Sequence, residues 1–280
     1  QKLTSSLPAA VASLAEDHWD SAARAIMTTD TFPKGASVII DIDGHPVTIT
    51  GISKGAGMIQ PNMATMLGFI ACDARIEPSL LQRYLSEAAE VSFNRITVDG
   101  DTSTNDACVL LASGRSSAPE ILEGSKQYLT FAAGINTVCQ RLAELIVRDG
   151  EGATKLMRIV VEQAQTEAEA VLVGKTIAHS PLVKTAFFAS DPNWGRILAA
   201  VGRAGVVDMA LERIEIYLGT VCIVENGGRS PSYTEQDGQR VMNQAEITVT
   251  VRLGRGDAKA EVLTCDFSYD YVKINAEYRT

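Results

Sequence analysis

Histidine is scarce in this sequence: His18, His45 and His179 are the only three in 280 residues. None stands beside a G-x-S-x-G elbow, a pattern that does not occur, so a Ser-His-Asp or Cys-His hydrolase has little to build on. Basic clusters are missing as well. Lys and Arg number 25 against 34 Asp and Glu, giving a formal charge of -9. With no Lys/Arg-rich run, nucleic acid and anionic membrane surfaces are excluded as partners. No apolar stretch approaches the roughly 18 to 20 residues of a membrane-spanning helix, which predicts a soluble chain. Cysteine is sparse: Cys72, Cys108, Cys139, Cys222 and Cys265 are scattered, odd in number and mostly inside apolar runs. They read as reduced core thiols of a cytosol-like compartment, not as metal ligands. Repeats, low-complexity segments and clear linkers are also lacking, and Gln1 is preceded by no initiator Met or leader, as expected for the interior of a longer polypeptide.

What is present is a chain with 46% hydrophobic residues, long enough to bury a substantial core. From Pro8 to Met27, Val11, Leu14, Trp19, Ala22 and Ile26 recur at helical spacing until "TTDT" breaks the pattern. "SVIIDIDGHPVTITGISKG" alternates on both sides of Asp43-Gly44, which predicts a hairpin with a type I′ turn. A strand over Met66 to Cys72 follows. Next comes a helix opened by Pro78 with Leu81, Leu85, Ala88 and Val91 on one face, then the strand "ACVLLAS". A second long helix is expected over about Lys126 to Val147, then the strand "KLMRIVVEQ", then a helical stretch that Pro181 must kink or divide. "RIEIYLGTVCIV" and "AEITVTVRLGRGDAKAEVLTCDF" read as two further hairpins before a short tail. Hairpin-length turns between strands, in mixed order with helices, predict an α+β fold with largely antiparallel sheets.

Two familiar signals fail on inspection. "GKT" at Gly174 to Thr176 lacks the earlier glycine of a phosphate loop, with Glu169 in its place, and reads as a helix surface. "DGDTSTND", from Asp99 to Asp106, has Thr104 and Leu110 where a calcium loop needs Gly and Glu, which leaves a polar turn or a substrate-contacting loop. "HSPLVKTAFFASDPNWGR" is accounted for as packing at a helix junction as well as by function.

A hydroxyl nucleophile without histidine needs another base. Thr65, in "MIQPNMATMLGFIACDA", can supply one if the backbone is cut before it. The freed α-amino group has an ordinary pKa of roughly 7.7 to 8.0, low enough to take the hydroxyl proton near neutral pH. Ala64 before it is small, the loop upstream can bend, and the strand downstream holds it rigid. A threonine that merely opens a strand is the commonplace alternative.

Six motifs in order, "KGAGMIQPNMATMLGFIACDA", "DGDTSTND", "DGEGATKL", "GKTIAHSPLVKTA", "DPNWGRI" and "YDYVKINAEYRT", together resemble the ornithine acetyltransferase family of arginine biosynthesis, also called glutamate N-acetyltransferases. The resemblance spans almost the whole chain. It implies a precursor that cleaves itself between Ala64 and Thr65. Residues 1–64 are then the C-terminal part of an α chain, and 65–280 a β chain beginning at the nucleophile Thr65. It also implies substrate contacts at Thr28, Lys54, Thr65, Glu151, Asn275 and Thr280, with Thr29 and Thr31 close enough to compete with Thr28. Lys54 offers a positive point charge for a substrate carboxylate, Glu151 can pair with the δ-amino group of ornithine, and Asn275 can donate and accept near the α-substituent.

The implied reaction moves acetyl from N2-acetylornithine to glutamate by ping-pong through an acetyl-threonine, in the cytoplasm, without metal or cofactor. Use of acetyl-CoA as a second donor is left open. The implied fold is α+β, DmpA/ornithine-acetyltransferase-like, similar to N-terminal nucleophile hydrolases in layering but not in topology, with α and β chains joined as a heterotetramer or larger. One departure stands out: the family's upstream Thr-Gly pair, which helps form the oxyanion hole, has no counterpart in these residues. The rival readings are an aminopeptidase or amidase using the same self-made nucleophile, and a non-catalytic assembly role.

Overall fold

The computed structural model describes residues 2–60, 66–103, 105 and 107–277, the side chains of residues 2 and 3 excepted. The expected first helix is divided, into α1 (Lys2–Ala12) and α2 (Trp19–Ala25). Its apolar spacing does not face a core. Leu7, Val11 and Leu14 are exposed, and Ala23 is the residue of α2 that is buried. Spacing alone reports a face and not what covers it.

The hairpin forms as the sequence predicts. Strands β1 (Lys34–Ile42) and β2 (His45–Lys54) pair antiparallel with Ile42 opposite His45, and Asp43 (φ 54°) and Gly44 (φ 81°) both take the positive φ of a type I′ turn. Strand β3 (Leu67–Cys72) adds antiparallel to β2, bringing Leu67 opposite Lys54. Helix α3 (Pro78–Glu90) is N-capped by Glu77 and buries Leu80, Tyr84, Ala88 and Ala89, so its inward face is turned by about one residue from the predicted one, with Leu81 and Leu85 at the margin. Strand β4 (Ala107–Ala112) then pairs parallel to β3, giving the order β1-β2-β3-β4. Helix α4 (Lys126–Arg148) covers the inner side of this sheet. It comes close because Gly134 has no side chain: a β-carbon there would lie 2.8 Å from Ile49 Cδ1.

The second sheet is built on β5 (Leu156–Ala164), whose Met157, Ile159 and Val161 are fully buried. Pro181 divides the following helical stretch into α5 (Glu167–Ala178) and α6 (Pro181–Phe188), with Ser180 capping the second. Gly174 lies inside α5 against Val262, so "GKT" is helical and not a phosphate loop. Helix α7 (Trp194–Gly202) is capped by Asn193 of "DPNWGR", and Pro192 packs against Gly238, as a helix junction requires. Strands β6 (Glu215–Leu218), β7 (Val221–Glu225) and β8 (Gly228–Arg229), helix α8 (Glu235–Met242), and strands β9 (Glu246–Arg252) and β10 (Ala258–Cys265) complete the layer.

The strand order, β10-β5-β9-β6-β7-β8, corrects one expectation. β9 and β10 are not hairpin partners. β5 lies between them, antiparallel to β10 and parallel to β9. One face of β5, formed by Met157, Ile159 and Val161, is fully buried, and each such residue contributes about 1.5–3 kcal/mol, while the other face carries the charged Arg158 and Glu162. A local turn signal cannot reveal such an insertion. With two parallel pairings among otherwise antiparallel ones, the fold is α+β with layered helices and largely antiparallel sheets, as expected. The predicted tail is helix α9 (Tyr269–Glu277), which buries no residue and is pinned at its start by Ser268 Oγ donating to the Gly152 carbonyl at 2.6 Å.

Candidate active site

The loop that leaves β2 is held on three sides. Gly55 N donates to Asp30 Oδ1 at 2.7 Å. Gly55 itself, at φ 150°, has no room for a side chain, since a β-carbon would lie 2.9 Å from Ile59 Cδ1. Glu151 N donates to the Ala56 carbonyl at 2.8 Å, and the Glu151 carboxylate packs directly on Gly57, where any β-carbon would collide with it. Met58 takes φ 54°, an unusual conformation for its type. Asp99 offsets that cost by accepting from Met58 N at 2.7 Å and Ile59 N at 2.9 Å. Thr97 Oγ1 and Val98 N donate to the Ile59 carbonyl, and Thr102 Oγ1 to that of Gln60. The "DGDTSTND" segment is therefore a clamp on the chain just ahead of residues 61–65.

Ala64, Thr65 and Thr280 lie outside the described residues. Of the other predicted site residues, the structure joins Glu151 and Asn275 directly: Asn275 Nδ2, on α9, donates to Glu151 Oε2 at 2.9 Å across 124 residues of sequence. Lys54 ends β2, half-buried, one residue from Gly55 and opposite Leu67. Thr28 is exposed, and its amide donates to Asp30 Oδ2 at 3.0 Å. Thr31, one of its competitors, has its hydroxyl engaged with Asp149.

Four residues not predicted for the site hold it together. Asp30, Lys34 and Asp149 form a buried ionic cluster that reaches the Thr28, Gly55 and Glu151 segments. Burial works to raise the Asp30 carboxyl, but the Lys34 ammonium and the Gly55 and Thr28 amides outweigh it, so the group lies below its ordinary value. Tyr271 on α9 is pushed up to about 12, first by burial and then by the negative charge of Asp99, Asp101 and Glu151. Asp30 and Asp149 do occur inside "MTTDT" and "DGEGA", beside predicted contacts. Their mutual approach has no local signal.

His179 lies against the same clamp, its ring about 3.7 Å from where a Gly100 β-carbon would be, and its Nε2 is buried without a hydrogen-bond partner. Burial, then Lys175, Lys184 and Arg203, lowers its pKa from 6.5 to about 4. The unfolded chain thus takes up this proton first, so the stability due to neutral His179 is complete above pH 6.5 and is lost as pH falls to about 4. The loss is on the order of 2–3 kcal/mol. Urea unfolding at pH 7 and pH 4.5 should show the protein losing that much more than His179→Gln. Parallel losses would mean that the imidazole is not held neutral.

The cysteines are free, Cys72, Cys139 and Cys265 buried, with burial raising the Cys72 thiol to about 11. Among the described residues no cluster suits a metal ion, and no helix is long and apolar enough to cross a membrane. A groove of about 400 Å³ runs beside the site between the Asp149–Ala153 turn and α9. A larger one, about 560 Å³, is lined by paired charges such as Arg158, Glu144 and Glu261 and holds none of the site residues.

Layered helices and mixed sheets, with a buried ionic cluster and a clamped loop just ahead of residues 61–65, define an α+β protein with a polar candidate site. The ArgJ family model matches residues 1–280. The chain belongs to the ArgJ family, the ornithine acetyltransferase family that its motifs resemble. Among curated relatives, the "Arginine biosynthesis bifunctional protein ArgJ" of Methylococcus capsulatus is 63% identical over 279 residues, covering 100% of this chain and 68% of that protein. The protein of the same name from Pseudomonas fluorescens is 54% identical over 281 residues, covering 100% and 69%. A crystal structure of arginine biosynthesis bifunctional protein argJ from Bacillus halodurans superposes with a TM-score of 0.73 at 39% identity, covering 76% of this chain and 100% of that one.

Proposed function

We propose that the protein transfers the acetyl group of N2-acetylornithine to glutamate, in the cytoplasm, with Thr65 as nucleophile after cleavage of the Ala64-Thr65 bond. Family membership makes it an enzyme of arginine biosynthesis. The observation that carries the finer reading is the direct Glu151–Asn275 pair beside the clamped Lys54–Gln60 loop. Together they offer a carboxylate for the δ-ammonium, an amide for the α-substituent and an ammonium for the α-carboxylate next to the chain that leads to Thr65. Substrate contacts are assigned to Thr28, Lys54, Thr65, Glu151, Asn275 and Thr280, and the α and β chains remain associated.

Both substrates carry an α-carboxylate, and a pocket built around Lys54, Asn275 and Thr280 holds one at a time. The reaction is then ping-pong. The Thr65 hydroxyl attacks the acetyl carbonyl, its proton passes through the α-amino group to the leaving ornithine amine, and glutamate's amine later takes the acetyl from the ester. Mixing the complete protein with acetylornithine alone should make the β chain heavier by one acetyl group in an intact-mass spectrum, and glutamate should remove it. Release of acetate at the same rate with or without glutamate would favour the amidase reading. Intersecting double-reciprocal lines with no trapped acyl species would mean direct transfer in a ternary complex. Whether acetyl-CoA can load Thr65 is read by the same mass shift.

A further inference from the structure

The cluster around Lys34 touches no proposed substrate atom, yet it is among the most enclosed polar groups in the molecule. Its ammonium lies 2.5 Å from Asp30 Oδ1 and 2.5 Å from Asp149 Oδ2, and all three side chains are cut off from solvent. One cation serves two carboxylates. The remaining acceptor capacity is taken by donors from separate segments: Gly55 N at 2.7 Å and Thr28 N at 3.0 Å on Asp30, and Thr31 N at 3.0 Å with the Thr31 hydroxyl on Asp149. Each segment carries a proposed contact, namely Thr28 itself, Lys54 beside Gly55, and Glu151 two residues beyond Asp149.

The bonds also close a ring. From Gly55 N the path runs through Asp30, Lys34 and Asp149 along the backbone to Glu151, whose amide returns to the Ala56 carbonyl at 2.8 Å. A closed ring restricts the distance between the Lys54 and Glu151 segments far more than an open chain of contacts does. Stability gives a weak account of it, because a buried ion cluster is often no better than well-packed apolar residues of the same volume. Registry gives a stronger one, since a substrate-positioning group displaced by about 1 Å can cost about 10²-fold in rate.

We infer that Lys34, Asp30 and Asp149 are positioning residues that set the spacing of Thr28, Lys54 and Glu151 without touching substrate. This rests on the assignment of those three as substrate contacts. Asp149→Asn keeps the shape but cannot accept from both Thr31 and Lys34 as the carboxylate does, and it leaves the cluster neutral. In the complete protein it should still cleave and still take up one acetyl per β chain at saturating acetylornithine, while the KM values for acetylornithine and glutamate each rise by about tenfold or more. Thr31→Val, which removes one hydroxyl bond to the same carboxylate, should raise both by a few fold and serves if Asp149→Asn does not fold. Unchanged KM values in a folded triad variant, with Lys54→Ala raising them, would reduce the cluster to packing and overturn the inference while the substrate contacts stand. Unchanged values in Lys54→Ala and Glu151→Gln as well would remove those contacts, and the inference with them.

Discussion

Thr65→Ala in the complete protein is expected to show neither backbone cleavage nor acetyl uptake, with transfer reduced on the order of 10⁴-fold or more, as for loss of a catalytic nucleophile elsewhere. In the proposed mechanism one hydroxyl performs both tasks: it first attacks the preceding carbonyl to open the chain, and the amine so released is the base for every turnover. Asp99 fixes the backbone of Met58 and Ile59 upstream of residues 61–65, and Leu67 begins a strand hydrogen-bonded on both sides downstream of them. Thr65→Ser keeps the hydroxyl and should retain some of each activity. N-terminal sequencing of the smaller species should read Thr-Met-Leu-Gly; a chain that begins elsewhere would remove the mechanism.

Lys54→Ala and Glu151→Gln should separate the two half-reactions. A charge-assisted hydrogen bond is commonly worth about 1.5–3 kcal/mol, so removing the Lys54 ammonium should raise KM roughly ten- to a hundredfold or more for both acetylornithine and glutamate, which share the α-carboxylate. In the proposed assignment Glu151 meets the δ-ammonium, a group that only ornithine has. Its glutamine variant can still accept from Asn275 Nδ2, as Glu151 Oε2 does at 2.9 Å, but it no longer pairs with the δ-ammonium. KM for acetylornithine should therefore rise by a similar factor, with the value for glutamate moving little. Equal shifts for both substrates in Glu151→Gln would mean that Glu151 shapes the pocket and does not recognise ornithine.

Much of the fold follows from features within a few residues of one another. Asp43-Gly44 dictates the β1–β2 turn because both residues must take positive φ, and Pro181 divides α5 from α6 because it cannot continue a helix. Long periodic segments such as α4 announce themselves for the same reason. The ordered motifs, also local, carried the family, and their resemblance is the ground on which Glu151, Asn275 and Lys54 are proposed as site residues.

Other features had no local sign. The place of β5 between β9 and β10 was decided by the burial of its Met157, Ile159 and Val161 face in the core, which outweighed a well-formed turn signal. The exposed apolar spacing of α1 shows the converse, a helical period with no core to meet it. The ionic ring is the clearest case. Lys34 and Asp149 are 115 residues apart, one opening β1 and the other capping the end of α4. Only folding brings one ammonium between two carboxylates, because an ion buried alone is costly and each of the three is tolerated only through the others. The sequence by itself determined which side chains can do the chemistry, since reactivity belongs to the residue type. Their spacing was decided by the tertiary structure, since it depends on which distant charges and apolar faces leave water together.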